Sequence, residues 1–185
     1  MSVTATGMFS KPLANMEDLL AGLSAFQTWT AEETAEAAAT HVYRVQFDEP
    51  DQAGTTDAEW AATRAAVRPV CIVGFGDITG GEEDAVASYW HKTGSLIVLF
   101  EEIAQNETGP QSDENPVETK DAITHLMNNV GTIVAELEAA VTGGGHIDLT
   151  GWTLHEAPGR MASEDVAGGQ LDIAACAIQF DRRDM

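Results

Sequence analysis

The amino-acid sequence predicts an α+β fold, in which one long helix and the N-terminal helices pack against a mainly antiparallel sheet. Strand-like segments lie in clusters on both sides of one long amphipathic segment, an order that is typical of this class. The chain has 185 residues, which is enough for one core and too few for two full-sized domains. Because its 44% hydrophobic residues match an ordinary globular chain, we expect one folded domain over residues 13–185.

The N-terminal region predicts a short arm followed by two helices. Residues 1–12 are small and polar, and we expect a flexible arm there. Apolar residues then recur with helical spacing at Leu13, Met16, Leu19, Leu20 and Leu23. This pattern predicts a first helix, with Asn15 as its cap. Thr30 and Glu33 have the spacing of a capping box, which predicts a second, short helix over residues 32–39.

The middle of the chain predicts strands and a short helix. Residues 41–47 alternate between polar and apolar side chains, as a strand with one buried face does. Residues 58–67 predict a short helix. Residues 68–75 form a near-continuous apolar run, which is typical of a strand buried on both faces, and we expect it at the centre of the sheet. Two strands, 85–90 and 95–103, predict a hairpin joined by the link 91–94.

The long helix has the clearest start signal, with Asn115 as its cap, Pro116 in the first position and Glu118 in the third. Its core-facing stripe is formed by Ile123, Leu126, Met127, Val130, Ile133, Val134, Leu137, Ala140 and Val141. Glycines at 143–145 are expected to end it.

Two further strands are predicted near the C-terminus, over residues 146–156 and 171–180. A phase slip at Gly151 indicates a β-bulge in the first of them. We expect exposed loops at about 104–115 and 157–169, because these segments are polar and rich in turn-forming residues.

The strongly acidic composition excludes a basic nucleic-acid surface. The 30 Asp and Glu residues against 9 Lys and Arg residues give a formal net charge of −21. A protein that binds phosphates needs clustered basic residues, whereas the one adjacent pair, Arg182 and Arg183, is flanked by Asp181 and Asp184. Such a surface fits either a salt-loving host or a chain that is merely well solvated.

The sequence predicts neither a membrane span nor a secretory signal, so we expect a protein that stays in the cell where it is made. No stretch approaches the roughly 18 uncharged apolar residues of a membrane helix. The first residues also lack the basic-then-apolar order of a signal peptide. Cys71 and Cys176 lie in apolar strand-like runs, which favours two buried, reduced thiols over a disulfide.

The glycines after the apolar run do not fit a nucleotide-binding loop. Gly74, Gly76, Gly80 and Gly81 miss the dinucleotide fingerprint because Thr79 occupies the position of its last glycine. Acidic residues at 82–84 would also repel a phosphate. A turn at the end of a strand is the preferred interpretation.

No catalytic, cofactor or metal site is predicted, and we do not expect an enzyme. The five histidines are scattered over separate elements, without the i, i+4 spacing of a helical metal site. Both cysteines lie where burial would make a thiol unreactive. Neighbouring carboxylates such as Glu101 and Glu102 carry no specificity in a chain with 30 acidic residues.

The residues that we expect at a subunit or partner interface are aromatic or basic. They are Trp90, His91, Lys92, Trp152, Arg182 and Arg183. Trp90 leads this set, because a lone domain has little reason to place an aromatic side chain at a hairpin tip. We therefore expect Trp90→Ala to leave folding intact and to impair assembly.

The order of these segments resembles the tail-terminator (tail-completion) proteins of long-tailed bacterial or archaeal viruses. The resemblance runs through LLAGLSAFQTW, HVYRVQF, RPVCIVGFGD, SLIVLFEEI and PVETKDAITHLMNNVGTIVAELEAAV to the final strand pair, and covers residues 13–180. It lies in element order, length and hydrophobic texture, without a catalytic motif. The loops at 104–115 and 157–169 look longer than in the usual member.

The resemblance implies a tail-terminator-like sandwich and a ring of identical subunits, most often six. Such a ring sits on the last ring of the tail tube, ends its polymerisation and meets the head-completion or neck protein. It is assembled in the host cytoplasm and remains in the virion. An acidic lumen would let DNA pass without specific binding, because it repels phosphates. The alternatives are a head-completion or neck adaptor protein, and a small acidic enzyme or ligand-binding domain.

Overall fold

The computed structural model describes residues 10–44, 47–48, 51, 53–80, 92–112, 114–142, 149–155 and 173–183. It confirms the α+β class. The helices are α1 (Ser10–Gly22), α2 (Ser24–Thr30), α3 (Ala35–Ala38), α4 (Asp57–Ala66) and α5 (Thr119–Thr142), with a 3-10 turn at Ala39–His41. The strands are β1 (Val42–Arg44), β2 (Val70–Gly80), β3 (Lys92–Ile103), β4 (Gln105–Asn106), β5 (Gly109–Pro110), β6 (Leu149–His155) and β7 (Ile173–Arg183).

Five strands form the main sheet in the order β1-β2-β3-β7-β6. β1 runs parallel to β2, and the other neighbours are antiparallel. The centre of the sheet is therefore β3, and the prediction that placed residues 68–75 there is wrong. β2 lies one position away, between β1 and β3. The predicted bulge at Gly151 is confirmed by a register shift between Leu149 and Gly151.

Side-chain alternation gives the sheet two different faces. On one face, buried side chains of β2, β3 and β7 pack against α1, α2 and α5. They are Cys71, Val73, Leu96, Val98, Phe100, Ala174, Cys176 and Ile178. The opposite face has two buried side chains near one end, Val70 and Ile173. Its other apolar side chains are partly exposed: Ile72, Ile97, Leu99, Ala175 and Ala177. The core thus lies between the sheet and the helices.

The helix α5 supplies most of the helical side of this core. Its buried residues are Ala122, Leu126, Val130, Ile133, Val134 and Leu137, which confirms the predicted stripe at its centre. The predicted start is wrong, because the helix begins at Thr119. The Asn115 amide nitrogen instead donates to the carbonyl oxygens of Gly109 and Pro110 (both 3.0 Å), and its Oδ1 accepts from the Asn106 amide at 3.4 Å. The side chain therefore holds the short β4–β5 hairpin.

The segment expected as an exposed loop at 104–115 contains that hairpin, and its described residues after Ala104 are exposed or partly exposed. Ala104 is buried, β4 and β5 pair within the segment, and the backbone N–H of Gln111 donates to the carbonyl of Ala104 at 2.8 Å. A polar segment is ordered here because its own amides satisfy its backbone groups.

The N-terminal helices differ from the prediction in their boundaries. α1 already includes residues 10–12, which were assigned to the arm, and Asn15 lies inside it. Thr30 does not cap a helix, because its hydroxyl is buried and donates to the Phe26 carbonyl within α2. Thr34 caps the next helix instead, accepting the backbone N–H of Ala37 at 3.2 Å.

β2 and β3 are longer than predicted. Gly74 and Gly76 lie inside β2, so the predicted turn does not begin at either of them. Gly80 is the last residue of β2, and Gly81 lies outside the described residues. Lys92 and residues 93–94 are paired in β3 and are not the link of a hairpin. The predicted arm 85–90, the remainder of that link, the loop at 157–169 and residues 1–9 lie outside the described residues. Within the described part of the chain, no helix is long and apolar enough to cross a membrane.

Candidate functional site

A buried carboxylate joins three elements on the helical side of the sheet. Glu102 of β3 is only 1% exposed. One oxygen, Oε1, lies 2.8 Å from Nδ1 of His125, and the other, Oε2, accepts the indole N–H of Trp29 at 2.7 Å. The Asn129 amide reaches Oε2 at 3.5 Å. The carboxylate therefore ties α2 and α5 to the central strand.

Regular secondary structure places these groups. Glu102 continues the alternation of Leu96, Val98 and Phe100 towards the helices. His125 and Asn129 are four residues apart and so share one side of α5. Trp29 lies near the end of α2, with its ring centroid 5.6 Å from that of Phe100 in an edge-on contact. A residue type that is rarely buried is accommodated because each of its neighbours offers a donor.

The contact with Glu102 determines which nitrogen of His125 carries the proton. A carboxylate only accepts hydrogen bonds, so Nδ1 of His125 donates to Glu102, and Nε2 is the ring nitrogen that does not contact this carboxylate. The side chain of His125 is 30% exposed, and its Nδ1 donates to Glu102 while the Asn129 amide nitrogen lies 3.3 Å away. Glu102 thus fixes the orientation of the His125 ring.

His125 lies between two clefts. The first, here called the hairpin cleft, has a volume of about 380 Å³ and is lined by residues 106–108 together with Asp121, Thr124, His125 and Asn128. The second, here called the helix cleft, has a volume of about 470 Å³. Residues of α2 and Gln105 line it together with His125, Asn129, Thr132 and Glu136. Among the residues that the structure describes, no lysine or arginine lines either cleft.

Glu136 in the helix cleft is already used to cap α2. Its Oε2 accepts the backbone N–H of Ala25 at 2.9 Å, and its Oε1 accepts the hydroxyl of Ser24 at 2.8 Å. Leu23, which immediately precedes α2, makes no side-chain hydrogen bond that caps the helix. The Ala25 backbone bond and then the Ser24 hydroxyl bond lower the pKa of Glu136 below its usual value.

The two thiols are buried and free, as predicted. Burial raises the pKa of Cys71 well above its usual value and raises the pKa of Cys176 to about 11. Neither thiol is a thiolate near neutral pH, so neither is a reactive nucleophile. Among the described residues, no group of three or more His, Cys, Asp or Glu side chains is arranged to hold a metal ion.

The predicted interface residues are partly brought together by the strand pairing. Lys92 begins β3, while Arg182 and Arg183 lie near the end of β7, opposite Gly94 and Thr93. These three basic positions, which are far apart in the sequence, share one end of the sheet. Trp152 lies on β6 opposite Phe180. Trp90 and His91 lie outside the described residues.

Sequence reasoning missed Glu102 and His125 as a pair. They are 23 positions apart, and no motif joins them. One signal was present, since Glu102 has the same parity as the buried residues of its strand. The comparison with known proteins does not identify the site: no protein-family model matches the chain, and no curated protein matches it.

Proposed function

We propose that this chain is a structural virion protein that forms a ring on the viral tail tube, ends its polymerisation and joins the tail to the head or neck. The observation that carries the proposal is the meeting of Lys92, Arg182 and Arg183 at one end of the sheet. Asp181 lies beside them, so this end, here called the basic end, carries three basic positions and one acidic position. In a chain with a net charge of −21, it is the part of the sheet best suited to contact an acidic neighbour. A further copy of the same chain is an acidic neighbour of this kind.

The opposite face of the sheet supports the same proposal. It presents Ile72, Ile97 and Leu99, all partly exposed, whereas buried side chains of the other face pack against the helices. Apolar area of this kind is typical of surfaces that a partner covers. Repulsion between the acidic subunits is then offset by contacts between the basic end, the apolar face and the neighbour.

The decisive experiment is to purify the chain alone and with the products of neighbouring genes, and to image the assemblies by electron microscopy. Light scattering after size exclusion should give about 118 kDa for six copies of a 19.7 kDa chain. A ring at the end of tail tubes would support the terminator role. A twelve-membered ring at the neck would favour the head-completion or neck adaptor.

Charge reversal tests the basic end directly. Arg182→Glu should abolish the ring while the monomer stays folded. Lys120→Glu is the matched control, because it makes the same charge change on an exposed side chain of α5, which pairs with Glu118 at 2.9 Å. If both variants assemble like the parent chain, or if the chain is found outside virus particles turning over a metabolite, the proposal is wrong.

A second candidate is a small ligand-binding domain, which the oriented imidazole between two clefts favours. Binding at His125 and assembly at the end of the sheet involve different residues. The two functions are therefore tested separately.

A further inference from the structure

We propose that the helix cleft binds a pyranose ring of an uncharged carbohydrate, with Trp29 as its apolar floor and the hydroxyl and amide side chains around it as a polar rim. This inference takes up the second candidate function and does not depend on the ring proposal. The cleft has a volume of about 470 Å³, which lies within the range of about 300 to 1,000 Å³ that is usual for sites of small molecules.

The rim of the cleft accepts hydrogen bonds rather than donating them. A hydroxyl group has one proton and two lone pairs. Each described hydroxyl of the cleft has already used its proton: Ser24 donates to Oε1 of Glu136 at 2.8 Å, Thr28 to the Ser24 carbonyl at 2.9 Å and Thr132 to the Asn128 carbonyl at 3.0 Å. The lone pairs remain, so a ligand has to bring the donors.

Gln105 adds a group to the rim that both donates and accepts. It begins β4, is half-buried and lines the cleft. No hydrogen bond in the described part of the chain involves its side-chain amide. A half-buried amide of this kind favours a ligand that offers both a donor and an acceptor, as every sugar hydroxyl does.

Trp29 gives the cleft one apolar surface. Its indole N–H donates to Oε2 of Glu102 at 2.7 Å, so the rest of the ring, which lines the cleft, is hydrocarbon. The rings of Phe26 and Phe100, whose centroids both lie 5.6 Å from that of Trp29, fix its orientation. A pyranose presents C–H groups on a face and hydroxyls around its edge, which matches an apolar ring set in a polar rim.

The charge of the lining favours an uncharged ligand. Glu136 is the only carboxylate among the described residues that line this cleft, and the Ala25 backbone N–H and the Ser24 hydroxyl already bind its two oxygens. No described lysine or arginine lines it to hold an anion. His125 suits a sugar hydroxyl in either protonation state, because a hydroxyl both donates and accepts.

The first test is titration of the full chain with methyl β-D-glucopyranoside, methyl β-D-galactopyranoside and methyl α-D-mannopyranoside, followed by amide and indole chemical shifts. We expect at least one of them to bind saturably at millimolar concentrations, with shifts confined to residues 24–29, 105 and 125–136. D-Sorbitol, which has the hydroxyls but no ring face, should not bind. Absence of saturation by all three glycosides at about 100 mM, or equal shifts with sorbitol, overturns the proposal.

Two matched threonine variants test the acceptors of the rim. Thr28→Val keeps the shape of the side chain and removes a hydroxyl that lines the cleft, so binding should weaken about fivefold. Thr124→Val is the control, because its hydroxyl also donates to the carbonyl four residues earlier but lines the hairpin cleft. It should leave the affinity unchanged. Equal weakening in the two variants, or none in either, would contradict the proposal.

Ala25→Leu tests the space of the cleft. Replacing Trp29 would also remove the hydrogen bond to Glu102, whereas a larger side chain at the half-buried Ala25 fills the cleft and removes no hydrogen-bonding group. Binding should weaken about tenfold or more. Ala135→Leu is the control, since Ala135 is exposed on α5 and does not line the cleft. Wild-type affinity in a folded Ala25→Leu variant would overturn the proposal, and Thr28→Val decides the question if that variant does not fold.

The size of the ligand is decided by a last comparison. A trisaccharide of the bound sugar, such as cellotriose for glucose, that binds more tightly than the methyl glycoside assigns the cleft to a sugar chain, whereas equal or weaker binding assigns it to a single sugar. Preferential binding of acetyl-trialanine amide at the same residues, without competition by the glycosides, would assign the cleft to a peptide and overturn the proposal. Ring assembly, which Arg182→Glu tests, does not depend on these results.

Discussion

Glu101 and Glu102 are neighbours on β3, but their carboxylates interact with different kinds of partner on opposite faces of the sheet. Glu102 faces the helices, is 1% exposed and accepts hydrogen bonds from the side chains of Trp29 and His125. Glu101 faces the other side and forms an ion pair with Arg68 at 3.2 Å, whose side chain is fully buried. One carboxylate orients a group that can exchange its proton between two nitrogens, whereas the other faces a guanidinium that cannot.

The difference follows from what each face packs against. The helical face receives indole, imidazole and amide donors from α2 and α5, while the opposite face meets the Arg68 side chain that follows α4. Arg68 also lies 5.4 Å from the ring of Phe47, which favours a cation there. Because Glu101 and Glu102 have the same side chain, any difference between them reports the difference between the two faces of the sheet.

The largest expected contrast is between apolar residues of the two faces. Phe100→Ala should lower the free energy of unfolding by about 4 kcal/mol, because Phe100 is fully buried between the sheet and Trp29. Leu99→Ala should cost about 1 to 2 kcal/mol, because that side chain is partly exposed. Urea unfolding of the monomer measures both. Equal losses would mean that the opposite face is packed as tightly as the helical one.

The next contrast is the same substitution at adjacent positions. Glu101→Gln should cost about 2 kcal/mol, because the buried guanidinium of Arg68 loses a charged acceptor. Glu102→Gln should cost about 1 kcal/mol, because His125 can change its tautomer to accept from the new amide. Unfolding of both variants in urea at one pH gives the comparison. A larger loss at Glu102 would contradict the tautomer argument.

A structural feature could be predicted from the sequence only where residues close together in the sequence determine it. The apolar stripe of α5 follows from periodicity alone, and Leu126, Ile133 and Leu137 are buried as predicted. The caps were mispredicted because tertiary contacts decide them. Asn115 is used by the β4–β5 hairpin, and Thr30 is buried inside α2. A capping motif identifies residues that are able to cap a helix, but tertiary contacts decide which of them do so.

The candidate site could not be predicted from local sequence patterns either, because tertiary contacts bring its residues together. Among 30 acidic residues, Glu102 is distinguished only by the parity of its strand. His125 lies beside the predicted stripe of α5, and nothing in the sequence places the two side by side. Their pairing depends on the position of β3 at the centre of the sheet, which was assigned to another strand.

The smallest expected effect concerns Glu136. Like Glu102, it is held by hydrogen bonds from residues on the helical side of the sheet. It caps α2 from α5, and the bonds from Ala25 and Ser24 lower its pKa. A lowered pKa in the folded state stabilises the protein above the ordinary carboxyl range, and this contribution is lost as the pH falls through the folded pKa. Because solvent screens this carboxylate, Glu136→Gln should cost only about 0.5 kcal/mol at neutral pH.

The pH dependence distinguishes the cap from a general loss of charge. The difference between the parent chain and Glu136→Gln should shrink as the pH falls towards about 4 and below, because the parent carboxyl is then protonated too. Glu33→Gln is the control, since Glu33 is exposed and its removal changes the net charge equally. Thermal unfolding between these pH values measures both variants. A difference that persists at low pH would mean that Glu136 acts through packing, and that α2 is held by its apolar contacts with α5 rather than by a shared carboxylate.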